Sequence, residues 1–408
     1  MKTTRRGLIQ GTAAAMAAAP VVGQTKGPAL AVAMAAPVLK KALFPGPVKI
    51  ESLELLKAGE HFLVRVRSGG VTGYSEAHSQ VMSVAFPILL RRVAPNFVGK
   101  DARELEGLFE EAYIAQSNYK WQGLPFWVSM AAVEIAILDL LGKVAGKPLG
   151  ELLGTVEKRE IGVYRASGNR GNAPEAEIAY LQKIVGEDGA KAIKFRLGAR
   201  MRYDAASTKR DEALIEMTRK TFGEGMTIYA DANGSYDVGM AVRIGRMMEA
   251  QRFRFFEEPV RFDYYDETQE VAKALKIPIA LGEQEMSLRN FRRIIEQGIA
   301  RVIQPDLMYF GGIIRSIKVA RMAAVAGLEC TPHMSGGGLG FLYVAHYASC
   351  VANAGPHQEY KGMDGTLPAH CPTSELKAVD GKITVPTGPG LGVEIEAGYL
   401  KRAERVAL

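Results

Sequence analysis

Three carboxylates recur at even spacing in the middle of the chain. Asp231, Glu257 and Glu283 each follow a short apolar run, and neighbouring members of the set are 26 residues apart. If each run is a strand of one parallel sheet, the three side chains meet at the same rim. Carboxylates gathered there and shielded from water repel one another unless a cation neutralises them. The pattern therefore predicts a metal site, although a single acid of this kind could also cap the next helix or pair with an arginine.

The residue types at these positions narrow the choice of metal. All three offer oxygen ligands, and neither a cysteine nor a pair of histidines accompanies them. Oxygen ligands alone favour Mg²⁺ over zinc, and Mn²⁺ would fit the same set. Cys330, Cys350 and Cys371 form no CxxC motif, so they suggest neither a zinc site nor a disulfide framework.

Asp306 and His333 follow the next two apolar runs of the chain, as the three carboxylates follow theirs. A carboxylate that holds one imidazole nitrogen leaves the other directed at a reactant, which is a general acid and base arrangement. A lone histidine is more often structural, but His333 follows Thr-Pro and precedes a run of serine and glycines at 335–338, as in a functional loop. We interpret His333 as catalytic and Asp306 as its partner.

The elements that hold these residues repeat from residue 160 onward. Each unit is an apolar strand, a polar residue at its end and a helix-length amphipathic stretch. Strands that alternate with helices pair in parallel through right-handed crossovers, so about eight units, including 161–166 and a strand near Gln358, close a barrel. Such barrels place their chemistry at the carboxyl ends of the strands. The residues at those ends are Lys194, Asp231, Glu257, Glu283, Asp306 and His333.

Residues 47–76 follow a different pattern. Short strands joined by glycine-containing turns predict an antiparallel meander there. From about residue 80 to 146 the period becomes helical, and the mostly apolar stretch 128–141 predicts a helix that ends at Gly146 and Pro148. We expect these elements to form an α+β domain in front of the barrel.

The first 40 residues are typical of an export signal. Arg5 and Arg6 precede an Ala-rich apolar stretch, the pattern of a twin-arginine signal, with small-residue cleavage options between about residues 17 and 36. We therefore expect a periplasmic protein that makes no membrane contact once the signal is removed. The alternative is a short membrane anchor, which the glycine, glutamine, lysine and proline between residues 23 and 28 disfavour.

The formal charge of +7 comes mostly from that segment. Five of the 51 lysines and arginines lie in the first 40 residues, which carry no acid, so the rest of the chain has 46 basic and 44 acidic residues. Such a balance gives no support for nucleic-acid binding. The length of 408 residues and an apolar fraction of 48% suit two domains.

The three metal motifs also identify a family. Asp231-Ala232-Asn233, Glu257-Glu258-Pro259 and Gly282-Glu283 resemble the ligand motifs of the mandelate racemase and muconate lactonizing branch of the enolase superfamily. The resemblance implies an α/β protein with a (β/α)-barrel of the modified TIM type, (β/α)7β, and an α+β N-terminal capping domain. After the signal and linker assigned to 1–40, it implies a capping domain in 41–157, a barrel in 158–370, and a C-terminal segment in 371–408 that returns to the capping domain.

The resemblance assigns roles on the second barrel strand, with one departure. The family pattern there is Lys-x-Lys, whose second lysine is a base on one face of the substrate, whereas this chain has Lys194-Phe195-Arg196. Arg196 stays protonated at ordinary pH, so it suits a clamp for a carboxylate or a leaving hydroxyl better than a base. Lys194 then gives electrostatic support, and His333 remains as the base.

Three further residues are expected at the substrate. Glu359 resembles the family acid that hydrogen-bonds the substrate carboxylate in its enediolate form. Asn233 stands where some sugar-acid dehydratases of the family carry a histidine, so a separate acid is absent at that place. Tyr119 belongs to an aromatic stretch that either lines the mouth of the site or packs inside the capping domain.

One base on one face suits β-elimination of water from a sugar acid, which gives a 2-keto-3-deoxy acid. Two alternatives stay open: an epimerase, racemase or cycloisomerase that uses the same intermediate, and a metal-bearing binding protein that has lost activity. The expected ligand is a small-molecule carboxylate, and the resemblance implies a homo-oligomer.

Overall fold

The computed structural model describes residues 27–334, 338–362 and 366–408. Its first part, up to residue 153, combines an antiparallel sheet with helices. The elements of this part are α1 (Gly27–Ala35), β1 (Ser52–Ala58), β2 (His61–Ser68), β3 (Val71–Ala77), α2 (Ser79–Ile88), α3 (Leu105–Ile114), α4 (Leu124–Ala145) and α5 (Leu149–Leu153).

The predicted antiparallel meander is confirmed. β2 pairs with β1 on one side and with β3 on the other, and turns of two residues join the strands. β1 begins at Ser52, later than the sequence pattern suggested. The reason is that the amide of Ile50 donates to the carbonyl of Lys100, which takes the preceding residues away from the sheet.

The predicted apolar helix is α4, which covers the sheet. It has a proline in its first turn and ends at Gly146, which adopts the left-handed conformation that stops a helix. Nearly every side chain from Phe126 to Gly142 is buried, because the helix packs on β3 on one side and on α2 and α11 (Ile313–Ala326) on others. By length and composition α4 could cross a membrane, but 89% of its most apolar window is buried inside the protein.

The second part alternates strands and helices, as the repeat predicted. The elements are β4 (Glu160–Ala166), α6 (Pro174–Asp188), β5 (Ala192–Arg196), α7 (Ala205–Phe222), β6 (Thr227–Asp231), α8 (Val238–Ala250), β7 (Phe255–Glu257), α9 (Tyr265–Ala274), β8 (Ile279–Leu281), α10 (Leu288–Glu296), β9 (Val302–Ile303), α11, β10 (Glu329–Cys330), α12 (Gly340–Cys350) and β11 (Gln358–Tyr360).

These eight strands form one curled parallel sheet in the order β10-β9-β8-β7-β6-β5-β4-β11. The sheet turns back on itself, because Glu359 of β11 lies 3.4 Å from His333, which follows β10. The register sets Arg196 beside Asp231 and Asp231 beside Glu257. The barrel prediction is thus confirmed, and neighbouring strands deliver these side chains to one rim.

Two layers of apolar side chains support that rim. Inside the sheet, the rings of Tyr229 and Phe255 stack with centroids 4.2 Å apart, and Tyr164 packs against Tyr229. Outside it, buried residues of β5, β6 and β7 pack against α6 to α9. The rim residues therefore project from strands that are fixed on both faces.

The last part of the chain crosses from the barrel to the capping domain. Within it, β13 pairs with β4 of the barrel, and β15 pairs with β1 of the meander. The two ends of the described chain thus both contribute to the first half of the molecule. Its elements are β12 (Ala369–His370), β13 (Lys382–Thr384), β14 (Glu394–Ile395), α13 (Ala397–Lys401) and β15 (Glu404–Arg405).

Part of the segment assigned to signal and linker belongs to the folded protein. α1 packs along α11 and buries Leu30 and Met34, and Arg321 of α11 donates to the carbonyls of Ala36 and Pro37. Residues 27–37 therefore pack on the barrel, because a run of small and apolar residues suits a core helix as well as a signal, and the domain boundary at residue 40 stays a prediction. Residues 1–26, with the twin arginines, lie outside the described residues.

Candidate active site

The three predicted ligands converge at the rim. One oxygen from each of Asp231, Glu257 and Glu283 lies within 4.8 Å of the other two. Asp231 and Glu257 are fully buried, and Glu283 is nearly so. Three carboxylates at this separation inside the protein form a site for a hard cation.

Not every carboxylate oxygen of the triad accepts a hydrogen bond from the described residues. Glu257 Oε1 is buried and accepts no hydrogen bond from the described residues, and Glu283 Oε2 has only an ion-pair contact with His333 Nε2 at 3.2 Å. Buried carboxylate oxygens without a partner are costly, and a divalent cation between the three side chains would satisfy them. The donor set therefore fits Mg²⁺ or Mn²⁺.

The backbone at the rim is specialised for this convergence. Asn233 and Glu258, which follow two of the ligands, both have φ of 40°. Gly282, just before the third ligand, has φ of 134°, and a Cβ there would lie 2.7 Å from the ring of Phe291. Only glycine adopts that conformation readily, so Gly282 is needed to bring Glu283 to the rim.

Lys194 balances the charge of the triad. Its Nζ lies 2.7 Å from Glu257 Oε2 and 3.8 Å from Glu359 Oε1, and the side chain is fully buried. Burial alone would lower the pKa of Lys194, but Glu257 and Glu359 raise it above its usual value. Lys194 is therefore a fixed cation in this arrangement, as the sequence comparison with the Lys-x-Lys pattern suggested.

Arg196 occupies the position at which the Lys-x-Lys pattern of the family has its second lysine, the base. Its Nη1 is paired with Asp231 Oδ2, and its Nη2 lies 3.8 Å from Glu359 Oε1. Burial opposes the charge, but the surrounding carboxylates, with Glu359 foremost, raise the pKa of Arg196. A guanidinium that stays charged is a poor proton acceptor, so Arg196 is not suited to act as a base.

His333 is held as the sequence predicted. Its Nδ1 lies 2.6 Å from Asp306 Oδ2, and Asp306 Oδ1 accepts the amides of Met308 and Tyr309. The other nitrogen, Nε2, lies 3.2 Å from Glu283 Oε2. Asp306 therefore fixes the orientation of the ring, which points Nε2 toward the metal site.

The charge state of His333 follows from its neighbours. Burial lowers the pKa of His333, but Glu283, Glu359 and Asp306 raise it to about 9. Neutralising these carboxylates would lower that pKa again and favour the neutral imidazole that a base requires.

The pKa values of two further acids at the rim are shifted in opposite directions. Lys194, Lys361 and His333 outweigh the cost of burial and lower the pKa of Glu359, so it is ionised. Burial, together with Glu283 and Glu257, raises the pKa of Glu258 well above its usual range. Both oxygens of Glu359 are buried and accept no hydrogen bond from the described residues, although Lys194, Arg196 and His333 lie 3.4–3.8 Å from them.

A cavity of about 660 Å³ opens over this rim. The barrel supplies Arg196, Asn233, Glu283 and His333 to its wall. The capping domain supplies residues 76–80, at the junction of β3 and α2. The site is therefore shared between the two halves of the molecule, with the polar rim as its floor.

Several wall residues were missed by sequence reasoning. They come from loops whose contacts depend on the tertiary fold, and the one available signal is that each follows a strand by only a few residues. Arg170 donates to the carbonyl of Leu197 and to the amide oxygen of Asn233, and Lys361 donates to the carbonyl of Met334 at 3.0 Å. The missed wall residues are His78, Arg200, Tyr309 and Lys361, and Arg170 was missed behind Asn233.

Of the residues expected at the substrate, Asn233 lies in the cavity wall and Tyr119 lies elsewhere. Asn233 lines the cavity, but its amide group donates to Asp231 and accepts from Arg170, so it positions a metal ligand. Tyr119 does not line this cavity. It lies in a short helical segment of the capping domain, packs edge-on against Tyr113 and is 43% exposed, because the kink at Gln116 directs the segment outward.

Comparisons with known proteins agree with this geometry. Residues 37–154 match the model of the mandelate racemase and muconate lactonizing enzyme N-terminal domain, and residues 177–399 match the enolase C-terminal domain-like model. The chain belongs to the mandelate racemase and muconate lactonizing branch of the enolase superfamily. The recognition made from the three metal motifs is confirmed.

Individual relatives cover most of the chain. An arabinonate dehydratase of Saccharolobus solfataricus is 30% identical over 340 residues, which cover 82% of this chain and 87% of the relative. A D-galactonate dehydratase of Xanthomonas campestris pv. campestris is 28% identical over 343 residues, with 82% and 88% covered. A mandelate racemase/muconate lactonizing protein from Paracoccus denitrificans, solved in complex with magnesium, is 28% identical with a TM-score of 0.80 and covers 88% of this chain and 99% of its own.

Proposed function

We propose that this enzyme dehydrates a sugar acid to a 2-keto-3-deoxy acid, with Mg²⁺ held by Asp231, Glu257 and Glu283. The observation that carries the proposal is the placement of one base beside the metal triad. His333 Nε2 lies 3.2 Å from Glu283, whereas the position of a second base is taken by Arg196, which stays charged. A site with one base favours elimination over inversion at the α-carbon.

The relatives support the same reaction class. The two named above are an arabinonate dehydratase and a D-galactonate dehydratase, and each aligns with more than four-fifths of this chain. Both names describe loss of water from a sugar acid. The substrate of this chain is accordingly a small polyhydroxy acid, and the 660 Å³ cavity has room for one.

The residues of the site account for each proton. His333 Nε2 accepts the α-proton, and the electrons of the C–H bond form the enediolate of the carboxylate. Lys194 and Arg196 hold the developing negative charge. When bound, Mg²⁺ supplies further positive charge at that carboxylate. The electrons then form the C2–C3 double bond while the bond from C3 to oxygen breaks, and His333 returns its proton to the departing hydroxide as water. The enol product tautomerises to the 2-keto acid.

The test is product formation by the purified full-length chain loaded with Mg²⁺. Arabinonate, D-galactonate and uronate-derived acids are offered in turn, and 2-keto acid is detected. The proposal expects product from the wild type and its loss in His333→Asn and Glu257→Gln. His370→Asn, an exposed histidine on β12 outside the site, is the matched control and keeps wild-type activity.

Other outcomes separate the alternatives. Exchange of the α-proton for deuterium without any keto product would replace dehydration by epimerisation or cycloisomerisation. Neither exchange nor product across the set of acids would favour a metal-bearing binding protein. Product formation that survives His333→Asn would contradict the assignment of the base.

We further propose that residues 1–26 direct twin-arginine export to the periplasm. Arg5-Arg6 and the apolar run after them support this. Because α1 packs on α11 from Gly27 onward, we place cleavage in the earlier part of the predicted range of residues 17 to 36. The test is the N-terminal mass of periplasmic protein. A start before Gly27 is expected, and protein that remains in the cytoplasm with intact Arg5-Arg6 would contradict export.

We also propose a homo-oligomer, as the family resemblance implies. The capping domain exposes the apolar side chains of Ile114, Tyr119 and Trp121, which are 57%, 43% and 53% accessible. Exposed apolar groups on one domain suit an interface between copies. Light scattering on the purified protein tests this, and a monomeric mass at micromolar concentration would contradict it.

A further inference from the structure

A histidine of the capping domain faces the catalytic cavity. His78 follows β3, is nearly buried and lines the same cavity as His333. Its ring lies 5.5 Å from the ring of Tyr309, which belongs to the loop that follows Asp306. His78 thus belongs to one domain and contacts the other beside the catalytic pair.

The hydrogen bonds of His78 fix where its proton lies. Nδ1 accepts the amide of Val81 and so caps α2, at 3.4 Å. A ring nitrogen that accepts carries no hydrogen, so the neutral imidazole bears its proton on Nε2. Nε2 lies 3.4 Å from the hydroxyl of Tyr309, which is a long hydrogen bond. A better-placed acceptor in the cavity would compete for this donor.

Burial is the main influence that disfavours a charge on His78. Burial lowers its pKa, and Lys361 and His333 add to that effect, while Asp306 opposes it. A neutral imidazole is a hydrogen-bond donor and a poor source of a proton. His78 can therefore stabilise charge that develops on an oxygen, whereas the proton itself must come from His333.

In dehydration, negative charge develops on the oxygen of the C3 hydroxyl until His333 protonates it. The hydroxyl at C3 departs with negative charge, and Asn233 is already bonded to Asp231 and Arg170. Lys194, Arg196 and the metal triad lie at the carboxylate end of the substrate in the proposed function. His78 offers a neutral donor from the capping-domain wall of the same cavity.

We propose that His78 Nε2–H donates a hydrogen bond to the departing C3 hydroxyl of the substrate. The inference rests on the proposed dehydration. In the step, the bond from C3 to oxygen breaks, the proton that His333 took from the α-carbon passes to that oxygen, and His78 keeps its own proton. His78 therefore acts on the elimination and not on the removal of the α-proton.

The experiment measures both events on one acid. Full-length, Mg²⁺-loaded protein converts D-galactonate, or arabinonate if that is the better substrate, in D₂O, and the rates of α-deuterium uptake and of 2-keto acid formation are compared. A hydrogen bond to developing charge is worth roughly 10²–10³ in rate. His78→Ser keeps a capping oxygen for α2 but removes the long donor, so elimination falls at least about 10-fold relative to exchange.

A second variant tests whether the lost rate comes from the missing hydrogen-bond donor or from a change in the fold. His78→Gln places an amide N–H close to the position of Nε2, and it recovers elimination relative to His78→Ser even though glutamine is a poorer cap. His370→Asn leaves the ratio of the two rates unchanged. Equal loss of both rates in His78→Ser, an unchanged ratio, or no recovery in His78→Gln would each overturn the proposal. A wild type with neither exchange nor product would instead overturn the proposed dehydration itself.

Discussion

At the scale of residues, the site is a balance of buried charges. Asp231, Glu257, Glu283 and Glu359 face Lys194, Arg196 and His333 within a few ångström. Among the described residues no hydrogen bond reaches Glu257 Oε1, an oxygen that a cation bound by the triad would satisfy. A buried carboxylate is stabilised only while its partners are present, so each member of the cluster depends on the others.

Removing one ligand therefore tests the metal site. We expect Glu257→Gln to bind Mg²⁺ at least about 100-fold more weakly, since changing a residue that only orients a metal ligand already costs roughly 10–100-fold. Calorimetric titration with Mg²⁺ measures this. Glu267→Gln, at an exposed position on α9, is the control and binds as the wild type does. Equal affinity in all three proteins would show that the triad does not hold the metal.

At the scale of elements, the short turns after the barrel strands decide which side chains reach the rim. β8 ends at Leu281, and Glu283 arrives at the site only because Gly282 adopts φ of 134°. The turn is enclosed by Phe291 of α10, so it cannot relax outward. Function at this rim thus depends on a conformation that only one residue type adopts readily.

Gly282→Ala should accordingly lower both stability and metal binding. We expect a loss of more than about 2 kcal/mol in the free energy of unfolding, because backbone strain of 1–3 kcal/mol adds to the clash with Phe291. Gly298→Ala is the matched control, since φ is 63° there and nothing lies within 4 Å of the added Cβ. Urea unfolding compares the two variants. Similar losses in the free energy of unfolding would show that the clash with Phe291 contributes nothing.

The N-terminal helix α1 is expected to stabilise the fold, which is a second prediction at this scale. A chain that starts at residue 27 should be as stable as the full-length protein, whereas a chain that starts at residue 41 loses α1 and the burial of Leu30 and Met34. Each such side chain contributes about 1.5–3 kcal/mol. We therefore expect a lower midpoint of urea unfolding only for the shorter chain. Identical midpoints would show that α1 adds nothing to the fold.

The sequence predicted elements well where the signal was local. Strand ends in a parallel barrel share a rim whatever the rest of the fold does, so Asp231, Glu257 and Glu283 could be placed together from their spacing alone. His78 could not, because its approach to Tyr309 depends on how two domains pack. Tyr119 was misplaced because an aromatic stretch alone does not show which way its side chains face.

At the scale of the whole molecule, buried acids join the capping domain to the barrel. Glu134 of α4 accepts the amides of Ile313 and Ile314 at the start of α11, and Glu76 accepts the amide of Leu339 at 2.7 Å. Gly312 makes the first contact possible, because a Cβ there would lie 2.1 Å from the Glu134 carboxylate. Such bonds across the junction hold the cavity wall in a fixed position over the rim.

Stability of the whole fold should depend on pH through His346. Its Nε2 lies 3.1 Å from the carbonyl of Leu391, and burial lowers its pKa to about 4. The unfolded chain binds a proton near pH 6.5 and the folded one does not, so stability falls as the pH drops from about 6.5 to 4, by up to about 1.4 kcal/mol per pH unit. Urea unfolding of wild type and His346→Gln over this range tests it. Parallel pH dependences in the two proteins would contradict the assignment.

The central claim is that His333, oriented by Asp306 beside the metal triad, removes the α-proton of a sugar acid. The most direct measurement is proton NMR of D-galactonate and arabinonate in D₂O with the Mg²⁺-loaded protein, wild type against His333→Asn. We predict loss of the α-proton signal with the wild type, as exchange or as conversion to keto acid, and a decrease of at least about 100-fold in the variant. Loss of that signal at equal rates in both proteins would contradict the account.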